Sequence, residues 1–313
     1  MTTVIVGPTA VGKSSLAMDL ARSYRHHGRV AEIVNADSML VYRGMDIGTA
    51  KPSAADRAEV RHHLVDILDV TETASVADFQ RLAREAIADC ARRHVVPLVV
   101  GGSALYVRAI VDDFDFPGTD PDVRARWADE LERVGAVSLH RQLQEIDPEA
   151  AAAIQPANGR RIVRALEVIA LTGRPYTANL PARHYLLPGV VQIGLDIDRP
   201  ALDARIEGRV QQMWDAGLVE EVRHLADHGL RQGVTASRGL GYRQVLQFLD
   251  GEVTEAAARE LTVIGTRKFA RRQDSWFRKD TRIRWVRAAD PDAPGTALAV
   301  SSGVEDEVDH PSA

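Results

Sequence analysis

Cysteine is nearly absent from this sequence: Cys90 is the single one among 313 residues. One cysteine cannot form an internal disulfide, and it cannot supply the set of cysteines that a cysteine-based zinc site takes. A chain that folds without disulfides fits a reducing compartment, and we therefore expect the protein in the cytoplasm.

The sequence also lacks an excess of positive charge and a long apolar run. Its 39 Lys and Arg are outnumbered by 44 Asp and Glu, so the formal net charge is −5 and any nucleic-acid site must be a local patch. The apolar run 95–100 is far too short to cross a bilayer, and no signal peptide precedes the first predicted strand. We expect a monomer without membrane attachment.

What the sequence does contain is an alternation of strand and helix patterns. Strands are predicted at 2–6, 30–36, 95–100 and 190–197, with helices at 13–26 and 75–93. Such alternation favours an α/β fold in which helices flank a parallel sheet. Further predicted elements are helices at 201–217, 218–229, 242–250 and 254–279 and a short strand at 282–286.

Changes in this pattern divide the chain into four parts. A first part of the core (1–111) is followed by an inserted all-helical subdomain (112–189), because residues 120–173 show helical periodicity and no strand pattern. The core then continues with its C-terminal helices (190–286). The remaining tail (287–313) is dominated by small and acidic residues and proline, so we expect it to be disordered.

The first predicted strand runs into a loop with the spacing G-x-x-x-x-G-K-[ST]. The loop consists of Gly7, Pro8, Thr9, Ala10, Val11, Gly12, Lys13 and Ser14. In such a P-loop, backbone N–H groups hold phosphate oxygens, the lysine reaches the terminal phosphates and the serine hydroxyl ligates Mg²⁺. The expected fold is therefore a P-loop NTPase-like sheet that binds phosphates and Mg²⁺. The loop alone does not say whose phosphates they are, because kinases, ATPases, GTPases and diphosphate-displacing transferases all use it.

Two other stretches follow predicted strands and should meet the P-loop at the carboxyl edge of the sheet. Asp37 lies at the end of the second strand, where it is either a functional carboxylate or a turn former. Ser103 follows two glycines at the start of a helix, where it is either a site residue or a simple N-cap. The strand ending at Val100 is followed by glycine rather than by the acidic residue of a motor ATPase, which favours a small-molecule kinase or a transferase.

Basic residues concentrate late in the chain. Residues 267–284 carry eight Lys or Arg and two Asp, a local net charge of +6. On a helical wheel one side carries Arg267, Arg271 and Arg278, and this side is a candidate phosphate-backbone patch in which Arg271 and Arg278 are the predicted nucleic-acid contacts. The opposite side, with Leu261, Gly265, Phe269 and Trp276, is predicted to face the core.

The residues leave three classes of function open. A P-loop small-molecule kinase explains the loop and a strand-end Asp but does not require the basic helix. A non-catalytic, nucleotide-regulated RNA-binding protein explains the loop and the patch but gives Asp37 and Ser103 no joint task. A transferase that acts on RNA and displaces diphosphate uses all four features.

The sequence resembles the bacterial tRNA dimethylallyltransferases, also called tRNA isopentenyltransferases, over residues 4–285. The P-loop is shared by many families, whereas NADSMLVYRGMDIGTAKP together with GGSALY is nearly specific to this one. The other matching segments are HHLVDILDV, GGSALYVRAIVDD, NGRRIVRALEV, GLGYRQ and RKFARRQDSWFRKD. The resemblance implies transfer of a dimethylallyl group from dimethylallyl diphosphate to N6 of the adenine 3′-adjacent to the anticodon in the tRNA anticodon stem-loop, with Mg²⁺ assisting release of diphosphate.

The resemblance also implies roles for individual residues. Residues 7–14 would bind the diphosphate, with Lys13 stabilising the leaving group, Asp37 as general base and Ser103, where the family usually has Thr, beside the reacting groups. Leu40 stands where many members have Gln, which removes one polar contact. The implied tRNA-contacting residues are Asp37, Ser38, Met39, Leu40, Ser103, Arg124, Asn158, Gly159, Arg160, Arg161 and Ile162.

Overall fold

The computed structural model describes residues 1–113, 116, 118–176 and 183–302. The chain forms two compact units. The main unit combines residues 1–111 with the chain from Tyr185 onward, and the second unit spans Asp112–His184. The second unit thus ends at His184 rather than at residue 189, because Tyr185 and Leu187 already pack against the core of the main unit.

The main unit is built on one sheet of six parallel strands in the order β3-β2-β4-β1-β5-β6. This confirms the predicted α/β fold with a parallel sheet. The central strands are apolar and buried along almost their whole length, as a sheet covered on both faces requires. The strands are β1 Thr2–Val6, β2 Ala31–Asn35, β3 His62–His63, β4 Val96–Gly101, β5 Val190–Asp196 and β6 Ile283–Arg287.

The helices of the first part of the main unit cover this sheet. On α3, Phe79, Ala83, Ile87 and Cys90 are buried at helical spacing, and the Ser75 side chain caps the helix by accepting the N–H of Asp78, as the sequence predicted. The helices are α1 Lys13–His26, α2 Ala54–Glu59, α3 Val76–Arg92 and α4 Ala104–Val111.

The regular elements of the second unit, among its described residues, are all helices. Its core contains Leu139, Leu143, Ile162 and Leu166, contributed by two of its helices. Gly159 lets a third helix, the one that carries Leu131, pack closely, because a Cβ at Gly159 would lie 2.7 Å from the Leu131 side chain. The helices are α5 Pro121–Val134, α6 Ala136–Ile146, α7 Pro148–Ala153 and α8 Gly159–Thr172.

The main unit resumes with β5 and a run of helices. Tyr242 and Val245 belong to the same core as the strand residues Val4 and Val34. In the ranges that the structure describes, no helix is both long enough and apolar enough to cross a membrane. The helices are α9 Arg199–Asp215, α10 Leu218–Asp227, α11 Tyr242–Leu249, α12 Glu255–Phe277 and α13 Ala293–Ser302, with a single 3₁₀ turn at Ala236–Arg238.

Helix α12 is rotated relative to the predicted apolar stripe. Leu261 and Trp276 were expected to face the core, but they are 40% and 49% exposed. The helix buries mainly small and polar residues. The large apolar side chains, from which the buried side was predicted, therefore indicated the wrong side of the helix. The buried residues are Ala258, Thr262, Ala270, Gln273 and Phe277.

The expected disordered tail is corrected for residues 288–302. Helix α13 packs against α1, with Ala293, Ala297 and Ser301 buried. The hydroxyl of Tyr24 donates to Ser301 Oγ at 2.7 Å and ties the two helices together. Small residues allow this close packing, and the small, acidic and proline residues of the tail led to the wrong prediction of disorder. Residues 303–313 lie outside the described residues.

We expect α13 to contribute to stability. A chain ending at Arg287 loses the packing of three buried residues and leaves Tyr24 without its partner, a loss of about 2–4 kcal/mol that lowers the melting temperature by several degrees. A chain ending at Ser302 keeps α13 and serves as the control. Equal melting temperatures for the two truncated chains would show that α13 does not stabilise the fold.

Candidate functional site

Three loops meet at the carboxyl edge of the sheet because β2, β4 and β1 are consecutive parallel neighbours. They are the P-loop after β1, the segment containing Asp37 after β2, and the segment containing Ser103 after β4. A Cβ at Gly101 would lie 2.3 Å from the backbone oxygen of Ala36, so only glycine allows these two loops to touch. The structure therefore brings together the three stretches that the sequence placed at one edge.

The P-loop is folded as a closed cradle. Ala10 adopts a left-handed conformation with φ of 65°, and the loop glycines Gly7 and Gly12 have φ of 146° and 111°. Val11 is buried and anchors the loop on the core below it. Lys13 donates from Nζ to the backbone oxygen of Pro8 at 2.8 Å, so its ammonium group crosses the mouth of the loop. Backbone N–H groups of such a loop and the start of α1 form an anion site.

Two arginines on α9 complete this loop. Arg209 donates from Nη1 to Thr9 Oγ1 and from Nη2 to the backbone oxygen of Thr49, both at 3.3 Å. Arg205, one turn earlier, donates from Nη1 to the backbone oxygen of Val11 at 3.0 Å. The sequence analysis missed both. The signal available was an i, i+4 pair of arginines beside the buried residues of a helix, but only the fold shows that α9 meets the P-loop.

The site carries more positive than negative charge. Burial lowers the pKa of Lys13 to about 8; the nearby Asp37 carboxylate opposes this shift and Arg209 adds to it. Burial also lowers the pKa of Arg209, again opposed by Asp37, but an arginine keeps its charge at physiological pH. Two partly buried cations face one carboxylate, so the site favours an anionic ligand.

Asp37 is held in place by its own loop. Its Oδ1 accepts the N–H of Met39 at 2.8 Å, and its own N–H donates to Asn35 Oδ1 at 2.7 Å. The Asn35 amide in turn donates to the backbone oxygens of Asp37 and Leu64, both at 2.9 Å. Asp37 is thus a turn former through Oδ1, one of the two roles that the sequence left open, while its Oδ2 makes no hydrogen bond among the described residues.

The residues that follow Asp37 and Ser103 in the sequence lie beside this site. Leu40 and Ser14 both line a cavity of about 290 Å³ that runs beside α1 and reaches the ends of β2 and β4. Ser38 hydrogen-bonds to Tyr106, and burial raises the pKa of that phenol to about 12. Met39 lies beside Gly239, where a Cβ would come within 3.4 Å of its sulfur. Ser103 begins α4, and its backbone oxygen accepts the N–H of Val107.

The two predicted basic contacts of α12 differ in the structure. Arg271 is exposed and makes no ion pair among the described residues. Arg278 is bound to Asp196 and Asp274, and its guanidinium lies 3.9 Å from the centre of the Trp285 ring. Arg267 likewise pairs with Glu207 at 2.8 Å. Arg278 stays a predicted tRNA contact, but its exposed guanidinium already pairs with two carboxylates of the main unit, so it should contribute less to RNA binding than Arg271.

The predicted tRNA contacts of the helical unit include exposed residues and residues that are occupied within the fold. Arg124, Arg160 and Arg161 are exposed. Asn158 is the N-cap of α8 and accepts the N–H of Arg161 at 3.3 Å. Ile162 is fully buried in the core of this unit, so its side chain cannot contact an RNA directly. Gly159 allows α8 to pack closely against Leu131.

A second polar cluster, at the amino end of β2, has the residue types of a metal site. Glu32, His63 and Cys90 bring three potential ligand atoms within 4.8 Å of one another. Arg93 forks onto both oxygens of Glu32 at 2.6 and 2.7 Å and holds the pKa of that carboxyl down at about 2. Burial raises the pKa of the Cys90 thiol to about 11, so the thiol stays protonated. The cluster is a closed ion-pair network that joins β2, β3 and α3.

Comparison with known proteins gives a consistent result. The IPP transferase family model matches residues 40–280. The tRNA dimethylallyltransferase of Kineococcus radiotolerans is 60% identical over 291 residues, which cover 93% of this chain and 92% of that protein. The solved full-length tRNA isopentenylpyrophosphate transferase of Bacillus halodurans is 39% identical with a TM-score of 0.69, over 97% of this chain and 95% of that one. A solved eukaryotic dimethylallyltransferase acting on tRNA is 25% identical with a TM-score of 0.82, over 96% of this chain and 78% of that one.

The pKa of Lys13 predicts how binding of inorganic diphosphate depends on pH. Lys13 is charged below about pH 8 in the free protein and loses its proton above it, so affinity should fall as pH rises through 8. A bound anion keeps the lysine protonated, and the loss between pH 7 and pH 9 is then about tenfold. Calorimetric titration at both pH values measures it.

The Lys13→Arg variant is the matched control, because arginine stays charged over this range. The ratio of wild-type to Lys13→Arg affinity removes the ionisation of diphosphate itself from the comparison. A ratio that is the same at pH 7 and pH 9 would contradict the role given to the Lys13 ammonium.

Proposed function

The chain belongs to the IPP transferase family, and we propose that it transfers a dimethylallyl group from dimethylallyl diphosphate to N6 of the adenine 3′-adjacent to the anticodon in tRNA. Near full-length identity with tRNA dimethylallyltransferases is the observation that carries this function. The family that the sequence motifs indicated is thereby confirmed. The phosphates at the P-loop are the diphosphate of an isoprenoid, which the loop binds as the leaving group of the transfer.

The reaction needs catalytic assistance at two atoms, N6 of the adenine and the leaving oxygen of the diphosphate. The exocyclic amine of adenine is a weak nucleophile, because its lone pair is delocalised into the ring. The C1–oxygen bond of the allylic diphosphate breaks as the N6–C1 bond forms, diphosphate leaves with the electron pair, and one proton must be removed from N6. The site therefore has to stabilise negative charge on the leaving group and provide a base on the other side of C1.

The cations around the P-loop suit the leaving group. Lys13 spans the mouth of the loop, and Arg209 on α9 donates to the hydroxyl of Thr9 in the loop. Their charges are in place before the substrate binds, so no reorganisation is needed when charge develops on the bridging oxygen. Arg209 thus joins Lys13 in our proposal for the residues that bind and stabilise diphosphate.

Asp37 suits the role of general base. Its Oδ1 is fixed by Met39 and its backbone by Asn35, so the carboxylate is oriented with Oδ2 available for the N6 proton. We assign Ser103 to a position beside the reacting groups, since its loop is in contact with the Asp37 loop through Gly101 and Ala36. Ser38, Met39 and Leu40 form the adjoining wall for the adenine.

The donor set at the start of α1 fits a magnesium ion. Ser14 is exposed in the first turn and lines the cavity at the sheet edge, so its hydroxyl is open to a ligand. Mg²⁺ takes oxygen ligands and is typically shared between one or two protein groups, phosphate oxygens and waters. Ser14 would hold the ion together with the diphosphate, and the ion would add charge neutralisation on the leaving group.

The exposed basic residues of each unit suit contacts with the tRNA backbone. In the main unit these include Arg271 on α12, and in the helical unit they are Arg124, Arg160 and Arg161. Phosphate contacts of this kind supply affinity and position the RNA without reading its sequence. A target base in a loop can leave its stack at low cost, which suits an enzyme that must reach N6.

The cytoplasmic location and the monomeric state remain our expectations for this chain. A single buried cysteine suits a reducing compartment. Sedimentation of the purified protein measures the oligomeric state directly.

The choice of phosphate ligand separates this function from a small-molecule kinase. Dimethylallyl diphosphate should raise the melting temperature of the protein more than ATP does at equal concentration. With dimethylallyl diphosphate and an anticodon stem-loop RNA, nucleoside analysis should find N6-dimethylallyladenosine. Protection by ATP alone, with no modified adenosine, would favour the kinase.

The variant Asp37→Asn tests the base. Asparagine can keep the Oδ1 bond to Met39, so the loop should keep its shape and both substrate affinities should stay within several-fold. General base catalysis typically contributes about 10²–10⁴-fold, and the single-turnover rate should fall by that range. The measurement uses saturating dimethylallyl diphosphate and a stem-loop RNA. A rate within a few-fold of wild type would leave Asp37 as a turn former only.

Arg271 and Arg278 form a matched pair for the RNA surface. Arg271→Ala should weaken tRNA binding at low salt and reduce the slope of log affinity against log salt by about 1, because one phosphate contact is lost. Arg278→Ala should leave the slope unchanged, since Arg278 is bound to Asp196 and Asp274. Filter binding at several salt concentrations measures both slopes. Equal slopes for Arg271→Ala and wild type would remove Arg271 from the surface.

A further inference from the structure

Gln273 is a buried residue of α12 whose side chain hydrogen-bonds to two of the loops at the candidate site. It is 5% exposed. Its Oε1 accepts the backbone N–H of Thr9 in the P-loop at 2.8 Å, and its Nε2 donates to the backbone oxygen of Gly102 at 2.7 Å. One carboxamide thus joins the diphosphate-binding loop to the loop that carries Ser103.

The two bonds require an amide. A backbone N–H can only donate and a carbonyl can only accept, so the orientation of the Gln273 amide is fixed by its partners. A carboxylate at this position could accept from Thr9 but would repel the Gly102 oxygen. An apolar side chain of the same length would leave a buried donor and a buried acceptor without partners.

Gly102 and Thr9, the two residues that Gln273 contacts, both depend on the Gln273 side chain or make room for it. A Cβ at Gly102 would lie 2.3 Å from Gln273 Nε2, so the second glycine of the GGS segment gives the amide its room. Thr9 is held twice, by Gln273 at its N–H and by Arg209 at its hydroxyl. The position of the loop between Pro8 and Ala10 therefore depends on two side chains from distant parts of the chain.

We propose that Gln273 is a positioning residue for the transfer reaction: it fixes the distance between the diphosphate on the P-loop and the reacting groups beside Ser103. This inference rests on the proposed function. Gln273 contacts backbone atoms of both loops and is itself buried. Its loss should let the two loops shift relative to each other, and a misplacement of about 1 Å can cost on the order of 10²-fold in rate.

The isosteric variant Gln273→Met removes both bonds. Single-turnover transfer at saturating substrates should fall by about 10- to 100-fold, inorganic diphosphate should bind several-fold more weakly, and tRNA affinity should change little. The control is Thr262→Val, which removes a buried hydroxyl of the same helix whose bond runs to Ala258 within α12. This control should keep the wild-type rate, so a general weakening of α12 is separated from loss of the loop contacts.

Gln273→Glu adds a readout that a purely structural role would not move. A protonated carboxyl both accepts and donates and so mimics the amide, whereas the carboxylate cannot donate. The ratio of Gln273→Glu to wild-type single-turnover rates should therefore rise as pH falls, and the wild-type rate in the ratio removes the titration of Asp37. Gln273→Met should show a ratio that does not change with pH.

The outcomes are distinct. A reduced Gln273→Met rate with a Gln273→Glu ratio that rises on acidification supports the positioning role. A Gln273→Met rate within a few-fold of wild type, or a flat Gln273→Glu ratio, overturns it. If the wild-type protein itself transfers no dimethylallyl group, it is the proposed function that fails, and the calorimetric affinity for inorganic diphosphate still shows whether Gln273 shapes the P-loop.

Discussion

The charge balance at the P-loop is the constraint on which the site depends. Lys13 and Arg209 come from the two chain segments that form the main unit and are partly buried around one carboxylate, Asp37. Cations that are removed from water need a counter-charge, and one carboxylate cannot match two of them. In the function that we propose, the diphosphate supplies the missing negative charge. Binding and leaving-group stabilisation would then follow from the same pair of side chains.

Close approach of the loops makes this balance possible. Gly101 brings the end of β4 against Ala36, and Gly102 leaves space for the Gln273 amide. Both contacts involve backbone atoms, so the path of the main chain sets the distances between the loops of the site. Asp37, the two cations and the Ser103 loop are thus held at one edge of the sheet, which is the arrangement that the proposed reaction needs.

The sequence predicted the local features of this protein and left the long-range ones open. Continuous apolar runs identified the buried strands, and the P-loop, Asp37 and Ser103 were placed at one edge because parallel strands end together. Arg209 and Gln273 were missed because they lie 200 and 264 residues from the Thr9 that they contact. No local pattern can report such a contact.

Two errors have a common physical origin. In α12 the large apolar residues suggested one buried face, but the helix packs closely through Ala258, Thr262 and Ala270 and leaves Trp276 exposed. In α13 the small residues were read as signs of disorder, yet they are what allows the helix to lie against α1. Small side chains make close packing possible without giving a strong hydrophobic signal.

The stoichiometry of the reaction tests the central claim most directly. In a mixture of protein, Mg²⁺, anticodon stem-loop RNA and dimethylallyl diphosphate, with no ATP, both the inorganic diphosphate released and the N6-dimethylallyladenosine formed can be counted. One diphosphate released per modified adenosine is the result expected if the P-loop holds the leaving group. A requirement for ATP, or release of monophosphate in step with modification, would contradict it.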